Sequence, residues 1–261
     1  MMLKDLLTAI GVYQVYGRWL KMQLNKADMP RHVGIILDGN RRWARSQNMS
    51  PWEGHWAGGD HVKEFLEWCL NLNINTITLY AFSTENFKRD SKEVEELMKI
   101  YEKALHDVLA SDVIEKYNVR VTAIGRRNLL PENIQSLIGE VEERTRSNDK
   151  FYLNVALAYG GRAEIVDATR ELAELVKQGK LEPGEINEDL IGKHLYTKHL
   201  PQQEPDLIIR TGNESRLSNF LLWQAAYSEL FIVDVYWPDF REIDLQRVIR
   251  DYQRRNRRYG K

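Results

Sequence analysis

The chain has 261 residues, 43% of them apolar and 29% charged, which excludes a disordered, collagen-like or low-complexity protein. Lys and Arg total 37 against 38 Asp and Glu, a net charge of -1, so no global basic field points to nucleic acid as a partner. The single cysteine, Cys69, excludes an internal disulfide framework and a multi-cysteine metal site, and it suits a reducing compartment.

No apolar run approaches the ~20 residues that span a bilayer. Residues 1–29 read as an amphipathic helical extension carrying Lys4, Arg18, Lys21 and Lys26. Asp5, Gln14 and Arg18 interrupt its apolar stretch, which argues against a signal peptide and for a cytoplasmic protein. Two readings stand for this helix: one packed on the domain or holding a partner, the other lying on a membrane surface. Beyond it, β-branched runs alternate with helical patterns. His32 to Leu37 predicts a buried strand, and Val62, Phe65, Leu66 and Cys69 then follow helical spacing. Thr76 to Phe82 is a second strand. Val94, Leu97, Met98, Tyr101, Leu105 and Val108 mark a helix capped at Asp90 or Ser91. Val119 to Ile124 is a third strand, and a helix begins near Pro131. Phe151 to Ala158 is a fourth, followed by Gly160-Gly161 and a helix through Val176. Asp206 to Ile209 and Leu230 to Tyr236 are the fifth and sixth. The alternation predicts an α/β single domain: a mostly parallel six-stranded sheet flanked by helices, behind the N-terminal helical extension.

In open α/β sheets, ligands bind beyond the carboxyl ends of the strands. The first strand ends in Asp38-Gly39-Asn40-Arg41-Arg42-Trp43 and the second in Ser83-Thr84-Glu85-Asn86-Phe87-Lys88-Arg89. The fourth ends in Tyr159-Gly160-Gly161-Arg162, and the fifth runs from Arg210 to Ser218. The first turn suits a diphosphate. Gly39 allows close backbone approach, the next helix offers unpaired N–H groups, and Arg42 offers a bidentate contact. Asp38 repels phosphate unless a hard cation lies between them, and Mg²⁺ is the natural bridge; the plain alternative for Asp38 is a helix N-cap. Arg210 and Arg216, with Ser218 close behind, offer a second anion site. Two anion sites and one carboxylate fit a reaction between two phosphorylated substrates. The chain has no P-loop, Gly-x-Gly-x-x-Gly, His-Glu-x-x-His or Gly-x-Ser-x-Gly pattern. Leu79 and Ala81 either line an apolar channel or are plain sheet core.

At these residues the sequence resembles the cis-prenyltransferase family, the undecaprenyl and dehydrodolichyl diphosphate synthases. HVGIILDGNRRWA, TLYAFSTENFKRDSKEVEELM, LNVALAYGGRAEIVDA and DLIIRTGNESRLSNFLLWQAAYSELFIVDVYWPDF carry the resemblance, which runs over residues 30–261. It implies a catalytic domain over that range and an allylic diphosphate primer at the first site. There Asp38 would bind Mg²⁺, with Gly39, Asn40, Arg41, Arg42, Trp43 and His55 around the primer. It implies isopentenyl diphosphate at Arg210, Arg216 and Ser218, with Glu229 as a second magnesium carboxylate. Ser83, Asn86, Phe87, Arg89 and Glu93 match a loop that closes over the substrates. Asp38, Asn40, Ser83 and Asn86 are the residues expected at the chemistry. Arg258 and Gly260 resemble a C-terminal Arg-x-Gly that in relatives reaches across a homodimer.

The chain departs from the pattern at Pro51, where relatives commonly carry arginine. Phe87 stands for a tryptophan of many bacterial members, and Arg41 for a glycine. The resemblance implies a Mg²⁺-dependent synthase of long Z-polyprenyl diphosphates, precursors of glycan lipid carriers. The alternatives are a short-chain or branching synthase of the same fold, which the Pro51 departure keeps open, and a non-catalytic partner subunit.

Overall fold

The computed structural model describes residues 12–255. The β-branched runs form β1 (His32–Ile36), β2 (Thr76–Tyr80), β3 (Val119–Ile124), β4 (Phe151–Ala156), β5 (Leu207–Thr211) and β6 (Glu229–Val233). They make one six-stranded sheet in the order β3-β4-β2-β1-β5-β6, and every pairing is parallel. The helices among the described residues are α1 (Val12–Gln23), α2 (Asn40–Ser46), α3 (Pro51–Asn71), α4 (Ser91–Leu109) and α5 (Asp112–Lys116), then α6 (Glu132–Arg144), α7 (Gly161–Lys177), α8 (Glu188–Gly192) and α9 (Glu242–Arg254). Local chemistry sets several of these boundaries. Pro51 occupies the first turn of α3, where its missing N–H costs nothing, and Ser50 and Glu53 close a capping box around it. The Asp90 carboxylate accepts from Lys92 N at 3.0 Å and starts α4.

From β1 the chain passes to β2, crosses to the edge at β3, comes back between them at β4, and then returns to β5 on the other side of β1. The loops after β1 and β5 therefore leave in opposite directions and open a crevice at the carboxyl edge. Asp38 and Arg210 both lie there.

Strand alternation gives the sheet two unlike faces. Val33, Ile35, Ile77, Leu79, Leu207 and Ile209 face a core that includes Phe65 and Cys69 of α3 and Leu245, Val248 and Ile249 of α9. Ile36, Ile208 and Ala156 face the other way, toward Tyr159, Phe220 and Leu221. That second side also carries buried polar groups. His32 Nε2 lies 2.8 Å from Thr78 Oγ1, and Asn154 Nδ2 donates to the same hydroxyl at 3.3 Å. Glu164 of α7 accepts from the Tyr159 hydroxyl, from Tyr196 N and from Gln224 Nε2.

Helix α1 packs on α9, as the packed-helix reading of the extension expects. Leu20 is fully buried, the Arg247 guanidinium lies 5.1 Å from the Tyr16 ring centre, and Gln253 exchanges hydrogen bonds with Asn25. Its outer face leaves Val15 69%, Trp19 44% and Met22 78% exposed. No helix of the described residues is long and apolar enough to cross a membrane.

Burial holds the His32 imidazole down at about 4, against the nearby Asp206 carboxylate, which raises it. The unfolded chain then takes up a proton near pH 6.5 that the folded chain refuses until about pH 4. Stability is therefore full above about pH 6.5 and falls as pH drops through that window. Burial also lowers His55 and His199, which act in the same direction. Urea melts across this range should show a shallower pH slope in His32→Asn than in the wild type; equal slopes would refute the assignment.

Candidate active site

The crevice is built around Asp38. Its carboxylate Oδ2 accepts from Arg210 Nη2 at 2.7 Å and from Arg210 Nε at 3.3 Å, while Oδ1 accepts from Arg42 Nη2 at 3.3 Å. Arg210 is only 4% exposed, so it needs these partners in place of water. Its remaining nitrogen, Nη1, donates to Ser218 Oγ at 2.7 Å and to the Arg216 carbonyl. The Asp38 backbone is locked as well. Its N–H donates to Thr211 Oγ1 at 3.0 Å, and its carbonyl accepts from that hydroxyl at 2.7 Å and from Trp237 N at 3.0 Å.

Gly39 follows at φ 107°, a left-handed conformation that favours glycine. A Cβ there would also stand 2.7 Å from the Tyr236 ring. The turn delivers the first N–H groups of α2 to the crevice. Asn40 opens that helix, and its Oδ1 is buried with no hydrogen-bond partner among the described residues. Gly54 lets α3 approach α2 closely, since a Cβ there would meet the Asn40 carbonyl at 2.2 Å. That approach seats His55. Its Nε2 lies 3.0 Å from Glu93 Oε1, which also accepts from Arg89 Nη1 at 3.0 Å, and Arg41 Nε stands 3.8 Å from the other oxygen. Burial holds the His55 pKa below its ordinary value, only partly offset by the Glu93 hydrogen bond. The imidazole is therefore neutral at pH 7.

The loop after β2 supplies the facing wall. Ser83 N donates to Asn86 Oδ1 at 2.9 Å, which folds Thr84–Lys88 into a single 3₁₀ turn and aims Ser83, Asn86 and Arg89 at one cavity. The cavity is about 650 Å³. Asp38, Asn40, His55, Arg210, Arg216 and Ser218 share its polar end. Its other end runs down the apolar face of the sheet, past Leu79 and Ala81, to Ile114, Val119 and Phe151 near the amino edge. Those wall strands are roughly 16 Å long. On the outer lip, Lys63 of α3 pairs with Asp107 of α4 at 2.8 Å, and Lys103 of α4 pairs with Asp60 of α3 at 3.1 Å.

Several expected residues lie elsewhere. Phe87 packs edge-on against Phe82, with ring centres 4.7 Å apart, in the apolar cluster behind the loop. Trp43 is half-buried on α2 and does not line the cavity. Glu229 begins β6 opposite Leu207, three residues and about 10 Å of strand short of the level of Arg210. It pairs there with Arg255 at 3.0 Å, so one chain does not bring it beside Asp38. Arg258 and Gly260 lie outside the described residues. Other contributors went unread in the sequence. Glu214 joins Arg42 at 3.4 Å to Arg216 at 2.5 Å, Tyr236 lies under Arg42, and Thr211 holds the Asp38 backbone. Glu214 sits inside the motif that displays Arg210 and Arg216, so its spacing was the available signal.

A parallel sheet with an arginine-lined crevice at its switch point, opening into an apolar cavity, suits ligands with a charged head and an apolar tail. The comparisons name the family. A family model described as "Putative undecaprenyl diphosphate synthase" matches residues 36–260. A geranylgeranyl-diphosphate-specific tritrans,polycis-undecaprenyl-diphosphate synthase of Methanocaldococcus jannaschii is 51% identical, covering 96% of this chain and 90% of that one. The synthase of the same name from Thermococcus kodakarensis is 49% identical, covering 96% and 94%. Lavandulyl diphosphate synthase from Lavandula x intermedia, in complex with dimethylallyl diphosphate, superposes with a TM-score of 0.86 at 37% identity, over 90% of this chain and all of that one. The chain belongs to the undecaprenyl diphosphate synthase family of cis-prenyltransferases. It is thus a transferase of prenyl groups.

Removing one partner of a buried ion pair typically costs about 3–5 kcal/mol. Asp38→Asn keeps an acceptor oxygen for Arg210 but removes the charge and turns the other oxygen into an amide donor. Its melting temperature should fall by roughly 6–20 °C while unfolding stays cooperative. Prenyl transfer should fall about 10²–10³-fold. Thermal melts and turnover with labelled isopentenyl diphosphate check both, and retained turnover would remove Asp38 from the chemistry.

Proposed function

We propose that this enzyme condenses isopentenyl diphosphate with an allylic diphosphate primer, preferably geranylgeranyl diphosphate, to make a long Z-polyprenyl diphosphate that serves as a glycan lipid-carrier precursor. The observation that carries the reading is the cavity: charged groups at one end and a continuous apolar wall along the strands. A diphosphate head and a hydrocarbon tail match those two ends. The primer preference and the long product rest on the names of the archaeal relatives.

In this reading the primer diphosphate lies on the α2 N-terminus, where backbone N–H groups and Arg42 receive the charge that develops as it leaves. Asn40 and His55 line that position. Arg210, Arg216 and Ser218 hold the diphosphate of isopentenyl diphosphate, and Ser83, Asn86 and Arg89 orient the two substrates from above. The C–O bond to the primer diphosphate breaks and its electron pair goes to the departing diphosphate, the double bond of isopentenyl diphosphate attacks the allylic carbon, and the proton lost in forming the new Z double bond passes to a diphosphate oxygen. Asp38 is a lone carboxylate among the described residues, shared with Arg42 and Arg210, so a Mg²⁺ there would take most of its positions from diphosphate oxygens and water. Asp38 would hold it, and the ion would supply charge neutralisation for the departing diphosphate.

Two associations belong to the same proposal. The first is a homodimer; β6 is an edge strand whose Leu230 and Ile232 are only half-buried. The second is peripheral contact with a membrane through Val15, Trp19 and Met22, which share one face of α1 near the basic Arg18 and Lys21.

Incubation with Mg²⁺, labelled isopentenyl diphosphate and separate allylic primers should give a ladder ending in a long Z-polyprenol. Geranylgeranyl diphosphate should be the best primer, and EDTA should stop the reaction. A single short or branched product would replace the long-chain reading, and no product with any primer would sink it. In a separate assay, Trp19→Glu should reduce co-sedimentation with anionic liposomes about tenfold while leaving turnover in detergent unchanged. Equal sedimentation would remove the membrane contact.

A further inference from the structure

The turn after β5 is held in an unusual backbone conformation. Ser218, Asn219 and Leu221 all have positive φ, at 49°, 67° and 43°. Such values are uncommon outside glycine and persist only where surrounding contacts over-determine them. Asn219 makes those contacts in three directions. Its carbonyl accepts from Gly161 N at 2.7 Å, and its Oδ1 accepts from Arg162 N at 2.9 Å, so it is anchored to the first turn of α7. Its Nδ2 donates to Glu85 Oε1 at 3.1 Å, across to the Thr84–Lys88 turn. The fit is close, because a Cβ on Gly160 would stand 2.7 Å from that same Nδ2. The preceding residue, Ser218, accepts from Arg210 through its hydroxyl and from the Tyr80 hydroxyl through its carbonyl at 3.0 Å. Glu85 lies between Ser83 and Asn86, which line the cavity.

We propose that Asn219 is a positioning residue: through Glu85 it sets the register of the Ser83–Arg89 loop against the Arg210–Ser218 anion site. The inference deepens the prenyl-transfer reading and rests on it for its kinetic consequences. The geometry explains why asparagine is suited to the position. It tolerates left-handed backbone, it offers an acceptor to α7, and it keeps a donor for the carboxylate of Glu85. Glu85 is correspondingly acidic. Burial pushes its pKa up, but hydrogen bonds from its own backbone, Ser83, Thr84 and Asn219 outweigh this and hold it below the ordinary value. Loop and anion site come from strands on opposite sides of β1, and the backbone joins them through the Tyr159–Gly161 segment, by Thr84 N to Tyr159 O at 3.0 Å and Gly161 N to Asn219 O at 2.7 Å; the Asn219–Glu85 bond is the side-chain link laid across that joint. A displacement of about 1 Å between groups that hold two reacting substrates can cost 10²-fold in rate.

Asn219→Asp tests this with little change of shape. It keeps the acceptor for Arg162 N and the tolerance of positive φ, but it sets a carboxylate against Glu85. Glu85→Gln added to it restores a donor–acceptor pair with the direction reversed. Amide exchange of residues 84–89, read by mass spectrometry, should rise about tenfold in Asn219→Asp and return to within about threefold of wild type in the double variant. kcat should fall about 10- to 100-fold, with calorimetric affinity for isopentenyl diphosphate alone changed less than about threefold, and the double variant should recover kcat. Unchanged loop exchange in Asn219→Asp overturns the proposal, as does a defect that Glu85→Gln does not repair. Equal losses in affinity and kcat would assign Asn219 to substrate binding instead and also overturn it. If the wild-type protein transfers no prenyl group, the prenyl-transfer reading fails by itself, and the exchange measurement still decides whether Asn219 positions the loop through Glu85.

Discussion

The ion pair between Asp38 and Arg210 is the contact around which the crevice is arranged. Each charge sits where its own strand ends, and the two strands are neighbours at the point where the winding of the sheet reverses. Buried, Arg210 engages all three of its nitrogens: two toward Asp38, the third toward Ser218 and the Arg216 carbonyl. Those partners tie the end of β5 to the turn that carries Asp38, so a shift of the Arg210 guanidinium changes the charge felt at Asp38 and the reverse. Thr211 and Trp237 clamp the Asp38 backbone, so the pair adjusts through its side chains rather than through the strand.

The two faces of the sheet divide the remaining tasks. The face toward α3 and α4 is apolar along its length and forms the channel. The opposite face buries Glu164, His32 and Asn154 among hydrogen bonds, which fixes the segments that carry Tyr159 and the turn after β5. Burial raises the Glu164 pKa against its hydrogen bonds from Tyr159, Tyr196 and Gln224. A polar underside of this kind is rigid only while each group keeps its partner. An apolar wall of similar area adapts to whatever hydrocarbon it meets.

Much of this was legible in the sequence because the governing signals are local. The run Thr76 to Phe82 reads as a strand and the observed one ends two residues sooner, Asp90 or Ser91 reads as a cap, and the strand-end rule points to Asp38, Ser83 and Arg210. Leu79 and Ala81 read as channel wall or plain core, and the structure gives them both places: they line the cavity and pack in the apolar clusters. Longer-range facts were not legible. The placement of β4 between β3 and β2 depends on which edge the crossover reaches, and periodicity does not encode that choice. Glu229 reads as a neighbour of the site in the motif, but the parallel register of β5 and β6 puts the start of β6 at the far edge. Thr211 and Asn219 hold the backbone of other residues and Tyr236 lies under the Arg42 guanidinium, so their residue types alone do not announce them. The closing helix, α9, carries its buried Ile243, Leu245, Val248 and Ile249 among charged neighbours, which hides its apolar stripe.

Cys69 lies on α3 with no exposed surface, packed in the core beneath the helix that walls the channel. Burial pushes its thiol pKa well above the ordinary value, so the reactive thiolate is absent from the closed molecule. A thiol reagent meets this sulfur only when α3 lifts from the sheet. As the chain's single cysteine, it is a built-in stopwatch: its labelling rate times the excursions of the channel wall, with no engineered probe.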